Sequence, residues 1–135
     1  MDLKLEVVTI PVSDLERARN FYVEQVGFNV DIDHRINEEV RLIQLTAPGS
    51  ACSIHLGSPE MAPGSIKGLF LVVSDVRAAR TDLVERGVEV SEVKVFDDGS
   101  YRPSREGDNL DNVGCAFFSD PDGNGWVVQQ IPARN

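Results

Sequence analysis

The chain has 135 residues, 41% apolar and 26% charged, a mix that fits one globular domain able to fold without a disulfide or metal staple. Its 22 acidic and 13 basic residues leave a net charge of -9. Such a field repels nucleic acid and anionic lipid and suits a cationic guest, so neither nucleic acid nor membrane is an expected partner. No apolar run approaches the roughly 20 residues that span a bilayer, and the stretch from Met1 to Glu6 lacks the basic region and apolar core of a leader. The expected address is cytoplasmic, and Cys52 and Cys115, outside any Cys-x-x-Cys pair, read as buried free thiols.

In chain order, Val8, Ile10 and Val12 alternate with Val7, Thr9 and Pro11, predicting a first strand. Asp14 stands where a carboxylate caps a helix, Leu15, Ala18, Phe21/Tyr22 and Val26 recur at helical spacing, and Gly27 stops it, so a helix is expected near 14–26. Phe28, Val30 and Ile32 then alternate with Asn29, Asp31 and Asp33 as a half-buried strand. Strands near 39–46 and 51–57 flank the turn Ala47-Pro48-Gly49-Ser50, and a linker follows at about 58–65.

The pattern then begins again. Val12-Ser13-Asp14 superposes on Val73-Ser74-Asp75, Ala18-Arg19 on Ala79-Arg80 and Glu24 on Glu85, and one gap brings Gly27 onto Gly87 and Val30 onto Val90. The second unit has Asp75 as cap, Val76, Ala79 and Leu83 as stripe and Gly87 as stop, a helix near 75–86. Strands are expected over Val88–Val95, with a bulge near Ser91, and over 113–119 and 125–131. The polar segment 97–112 reads as a long mobile loop, with Tyr101 and Arg102 at a solvated tip or folded over an opening. The organisation is strand, helix, three strands, twice, in a single domain: repeat one at about 1–57 and repeat two at about 66–131.

Ile10-Pro11-Val12-Ser13-Asp14-Leu15-Glu16-Arg17-Ala18, Phe21-Tyr22, Gly27-Phe28 and above all Phe117-Phe118-Ser119-Asp120-Pro121-Asp122-Gly123-Asn124-Gly125-Trp126 carry a resemblance. Over nearly its full length the chain resembles the glyoxalase, bleomycin-resistance and extradiol dioxygenase (vicinal oxygen chelate) superfamily. The resemblance implies an α+β fold in which two βαβββ repeats form a curved, eight-stranded mixed sheet around a cleft, within one chain or between two. In the metal-dependent members, the first and last strands of each unit supply His, Glu or Gln to a divalent ion. Carried over, those positions fall at Val7, His55, Gly68 and Val127, and only His55 has a lone pair to give.

The expectation is a small-molecule binder with an incomplete metal site and no cofactor, its cleft lined by Thr9, Gln44, His55, Phe70, Val127 and Gln129. The expected partners are a cationic or aromatic small molecule and a second copy of the chain in a homodimer. His34 reads as a solvated loop residue and Trp126 as core. The pairs Asp31/Asp33 and Asp120/Asp122 read as a solvent face and a turn. The alternative is a lyase, isomerase or dioxygenase using His55 with a rearranged metal site. A third reading is an interaction domain whose cleft is filled by side chains.

Overall fold

In the computed structural model, which describes residues 1–57 and 60–132, Val7–Ile10 forms β1. Asp14 then turns its carboxylate onto the amide of Arg17 at 3.0 Å, the predicted N-cap. The helix that follows is α1 over Leu15–Asn20 and continues as a π-helical turn over Phe21–Val26. The departure from a regular helix has a cause in the repeat. One residue more separates Asp14 from Gly27 than Asp75 from Gly87, and a helix accommodates a single extra residue as a π-bulge. The wider turn lets two adjacent rings reach the core: Phe21 and Tyr22 are both buried and meet edge to face at 5.2 Å.

Two compact units result, the first from Met1–Ile66 with Asp120–Asn124, the second from Lys67–Ser119 and the described residues from Gly125 on. In the first, β2 (Asn29–Arg35), β3 (Arg41–Thr46) and β4 (Ser53–Leu56) join β1 in the order β1-β4-β3-β2. The second contains β5 (Leu69–Val73), α2 (Val76–Glu85), β6 (Lys94–Asp97), β7 (Ser100–Pro103), β8 (Gly114–Ser119) and β9 (Gly125–Gln130). Its sheet order is β5-β9-β8-β6-β7. Without β7 the two orders coincide, and in each the first strand runs parallel to the last. Asp75 caps α2 by accepting from Ala78 N at 3.1 Å.

Several expectations are corrected. The described residues form nine strands instead of eight, because part of the supposed loop 97–112 is β7. Asp98 and Gly99 both have positive φ, 50° and 83°, the requirement of a two-residue type I′ hairpin turn. The expected strand over Val88–Val95 is regular only from Lys94. Before it, Ser91 anchors an irregular stretch: its amide donates to the Phe117 carbonyl and its hydroxyl oxygen accepts from the Phe117 amide, both at 2.9 Å. The half-buried strand after Phe28 is β2, and it is exposed at every residue. It is an edge strand, its register shifts between Val30 and Ile32, and His34 lies within it and not in a loop. Of the linker, Ser58 and Pro59 lie outside the described residues.

The core of each unit lies between sheet and helix. In the first, Ile10, Ile43, Leu45, Ile54 and Leu56 are buried with Ala18, Phe21 and Tyr22; in the second, Val76, Leu83, Val95, Ala116, Phe118, Trp126 and Val128. Trp126 stacks on Phe118 at 6.2 Å, as its predicted core role requires. Each large apolar side chain so buried stabilises by about 1.5–3 kcal/mol.

The turn Asp120–Asn124 adds a polar knot to the first core. Asp120, only 5% exposed, accepts from the Tyr22 hydroxyl at 2.7 Å, Asn124 Nδ2 at 2.7 Å, and the amides of Asp122 and Asn124 at 3.0 and 2.9 Å. Asn124 in turn donates to the Pro11 carbonyl at 2.9 Å and accepts from Ile66 N at 3.1 Å. Asp120→Ala would orphan several buried donors, whereas Tyr22→Phe removes one donor and leaves the carboxylate served. The expected losses are about 3 kcal/mol and about 1 kcal/mol. Chemical denaturation of both variants checks the ranking; equal losses would contradict it.

Candidate functional site

Strand alternation sends one set of side chains toward the helix and the next away from it. In the first unit Asp33 and Arg41 belong to the helix side. Asp33 binds Arg41 and Arg19 at 2.8 Å each, and Arg41 reaches Glu16 at 2.7 Å. The Arg41 guanidinium first, then Arg19, holds the Asp33 carboxyl below its usual value against its partial burial. That side is structural.

The other face carries the candidate site. Thr9 pairs in register with His55, His55 with Gln44, and Gln44 with Ile32, one row across all four strands. His55 Nε2 lies 2.9 Å from Gln44 Oε1. With that oxygen accepting, His55 Nε2 is the donor of the pair. The neighbouring row is a chain of hydroxyls: Ser53 Oγ lies 2.6 Å from Thr46 Oγ1, which donates to Asp31. Ile32 and Leu42, 41% and 44% exposed, flank these polar groups on the same face.

The second unit's corresponding face is aromatic. Phe70, Val127 and Phe117 form one row, and Val72, Gln129 and Cys115 the next. Tyr101 meets Phe117 at 5.0 Å and Phe96 at 5.1 Å, edge to face. Phe70 is 53% exposed. Gln129 donates to the Asn112 carbonyl at 2.8 Å. Burial pushes the Cys115 thiol up, against a lowering hydrogen bond with Tyr101. Cys52 is half-buried, and both cysteines are free.

Thr9, Gln44 and His55 therefore gather on one face, and Phe70, Val127 and Gln129 on the other unit's equivalent face. Sequence reasoning put Ser53 on the face of His55 but missed Thr46, whose phase follows once β3 is paired with β4. It also missed the ring row of Phe96, Tyr101 and Phe117, which the Asp98-Gly99 turn signal would have revealed. Arg102, read as a loop tip, instead binds Asp97 at 2.9 Å and Asp108 at 3.0 Å.

The residues at the implied metal positions do not fit an ion. Val7 and Val127 are apolar strand residues paired with Ser53 and with Phe70 and Phe117, and Gly68 immediately precedes β5. Among the described residues no three His, Cys, Asp or Glu side chains gather as a metal-holding group.

Asp108 offers a pH test of the loop behind β7. Hydrogen bonds from the Arg102 guanidinium and then the Arg105 amide hold its carboxyl down at about 2, against an ordinary 3.8. A lowered folded value means that the anchoring is complete above the ordinary value and is lost as pH falls through the folded one. The Arg105 amide resonance should therefore titrate with a midpoint near 2, and stay flat in Asp108→Asn. A midpoint near 4 would show that Arg102 does not hold the loop in solution.

The family model described as Glyoxalase/Bleomycin resistance protein/Dioxygenase superfamily matches residues 4–128. Among solved structures, the chain is similar to TnmS3, an antibiotic binding protein from Streptomyces sp. CB03234, at 34% identity. That match covers 96% of this chain and 97% of TnmS3 with a TM-score of 0.74. A glyoxalase/bleomycin resistance protein from the same Streptomyces strain matches at 35% identity, covering 94% and 100%, with a TM-score of 0.70. A superfamily member from Sphaerobacter thermophilus matches at 28% identity over 96% and 98%, with a TM-score of 0.73. No functionally curated protein matches the chain.

Proposed function

The chain belongs to the glyoxalase, bleomycin-resistance and dioxygenase superfamily, and from that premise we propose that it is a metal-independent binder of an aromatic or cationic small molecule. The observation that carries the reading is the make-up of the two sheet faces. One offers the hydrogen-bonding row Thr9, His55 and Gln44, and the other the rings Phe70, Phe96, Phe117 and Tyr101, while Val7 and Val127 give an ion nothing to bind. Placed hydrogen-bonding groups on the first face, and exposed rings beside an amide on the second, are each features that small-molecule sites use. The likeness to an antibiotic-binding protein supports the same class of guest, and the net charge of -9 favours a cationic one. The reading includes a cytoplasmic setting, where Cys52 and Cys115 stay reduced.

The expected result is saturable binding of a planar polyaromatic antibiotic, followed by Trp126 fluorescence or calorimetry. Tyr101→Ala should weaken it by about tenfold, the worth of one lost ring contact near 1.5 kcal/mol. Protein purified without chelator or affinity tag should carry no stoichiometric zinc, iron, manganese or nickel. Near one ion per chain, lost in His55→Ala, would overturn metal independence and favour a lyase, isomerase or dioxygenase.

A homodimer belongs to the same proposal. The edge strand β2, the turn beyond it and the start of β3 expose Val30, Ile32, Ile36, Val40 and Leu42, an apolar edge that stays soluble best when covered. Light scattering should give twice the chain mass at micromolar concentration; Ile32→Lys should shift it toward the monomer.

A further inference from the structure

On the helix side of the second unit, away from the ring-bearing face, an open cleft of about 310 Å³ is lined by Arg77, Arg80, Thr81, Glu92, Val93 and Ser104. In a chain with 22 acidic residues, five of the nine described guanidiniums find a carboxylate, those of Arg17, Arg19, Arg41, Arg86 and Arg102. Arg77 and Arg80 form no ion pair among the described residues. Both are nevertheless held in place by neutral groups. Arg80 donates Nε to the Ser91 carbonyl at 2.7 Å and Nη2 to the Val90 carbonyl at 3.5 Å. Arg77 donates Nη2 to the Ser104 hydroxyl at 3.3 Å.

Neutral anchors orient a guanidinium without cancelling its charge. A guanidinium has five N–H donors, so each keeps donors for a guest after these bonds are made. Two such groups in one cleft, with the Ser104 hydroxyl beside them, match the oxygens of a carboxylate or a phosphate; the Thr81 hydroxyl is spent on the Arg77 carbonyl at 3.1 Å. We propose that this cleft is a second binding site, for a small molecule bearing a carboxylate or phosphate group, held chiefly by Arg77 and Arg80. Glu92, on the same wall, opposes the bound anion and sets the affinity low. The site shares no residue with the aromatic face, so it stands or falls independently of the guest proposed there.

The test is a two-dimensional amide NMR titration of the full chain with inorganic phosphate and, separately, with succinate, each against chloride at matched ionic strength. Saturable shifts at Thr81, Val93 and Ser104 that chloride does not reproduce are expected with at least one of the two. Phosphate alone would identify a tetrahedral anion as the ligand, and succinate alone a carboxylate. Arg77→Gln removes one charged donor whose only bond here is to Ser104, so the fold is kept. It should weaken binding roughly tenfold, the worth of one charge-assisted hydrogen bond. Glu92→Gln should tighten it severalfold. The proposal is overturned if chloride gives the same shifts, if neither anion saturates, or if Arg77→Gln binds as tightly as the parent.

Discussion

A carboxylate placed in a protein interior must be met by donors from every side, because its desolvation otherwise costs several kcal/mol. Asp120 is met in this way by a ring hydroxyl, a side-chain amide and two backbone amides. Its dependents reach far along the sequence. Tyr22 lies in the π-helical turn, Asn124 ties the end of β1 through Pro11, and Ile66 is the last residue before the second unit. The turn holding Asp120 joins β8 to β9, yet it belongs to the first unit. The turn that closes that hairpin thus also supplies polar groups to the first core. Beside it, Asp122 accepts from the Ser13 hydroxyl at 2.6 Å and from Arg17 at 3.2 Å. Burial alone would raise the Asp122 carboxyl, but Ser13 and Arg17 together outweigh it and hold the group below its usual value. A side chain on Gly64 would lie 2.1 Å from the Asp122 carbonyl oxygen, so the knot also demands a bare backbone on that side.

With the strand ends held, alternation does the sorting. Because Ile54 and Leu56 point into the core, His55 must point away from it, and the pairing of β3 with β4 then carries Gln44 to the same side. In the second unit, burial of Phe118 and Trp126 sends Phe117 and Val127 to the opposite face by the same rule. A slip of one residue in either register would exchange core and site wholesale. The binding face is thus specified by the core and not by any motif of its own.

This explains which features were legible. The two Asp caps, the helix stripes and the Gly stops are local signals, and each was readable from a few neighbouring residues, as was the duplication they establish. Which residues of a strand share a face was also readable, so His55 could be set opposite Ile54 and Leu56, but the phase of Gln44 waited on the pairing of its strand. Whether a face is covered is a different matter. Val30 and Ile32 alternate as buried residues do, yet β2 is an edge strand, and nothing in the alternation of one strand says which strand lies beside it. The role of Asp120 was hidden for a similar reason, since the turn looks self-sufficient and its ring partner is Tyr22. The β7 hairpin, by contrast, has a local signal in Asp98-Gly99, the left-handed pair that a two-residue turn requires.

The two repeats have diverged by two small changes, and each alters what its unit presents. In the first, one added helix residue produces the π turn that buries Phe21 and Tyr22 together and lets the Tyr22 hydroxyl reach Asp120. The sheet beneath is anchored without using its outer face, whose hydroxyls, imidazole and amide stay free to specialise in hydrogen bonding. In the second, the added hairpin extends the sheet by β7, and that strand contributes Tyr101, the ring that joins Phe117 to Phe96. The same extension ends at Ser104, which orients Arg77 on the helix side. A duplicated scaffold with one strand order thus carries a hydrogen-bonding face in one copy and an aromatic face in the other. Neither change disturbs the pairing of first strand with last on which both units are built.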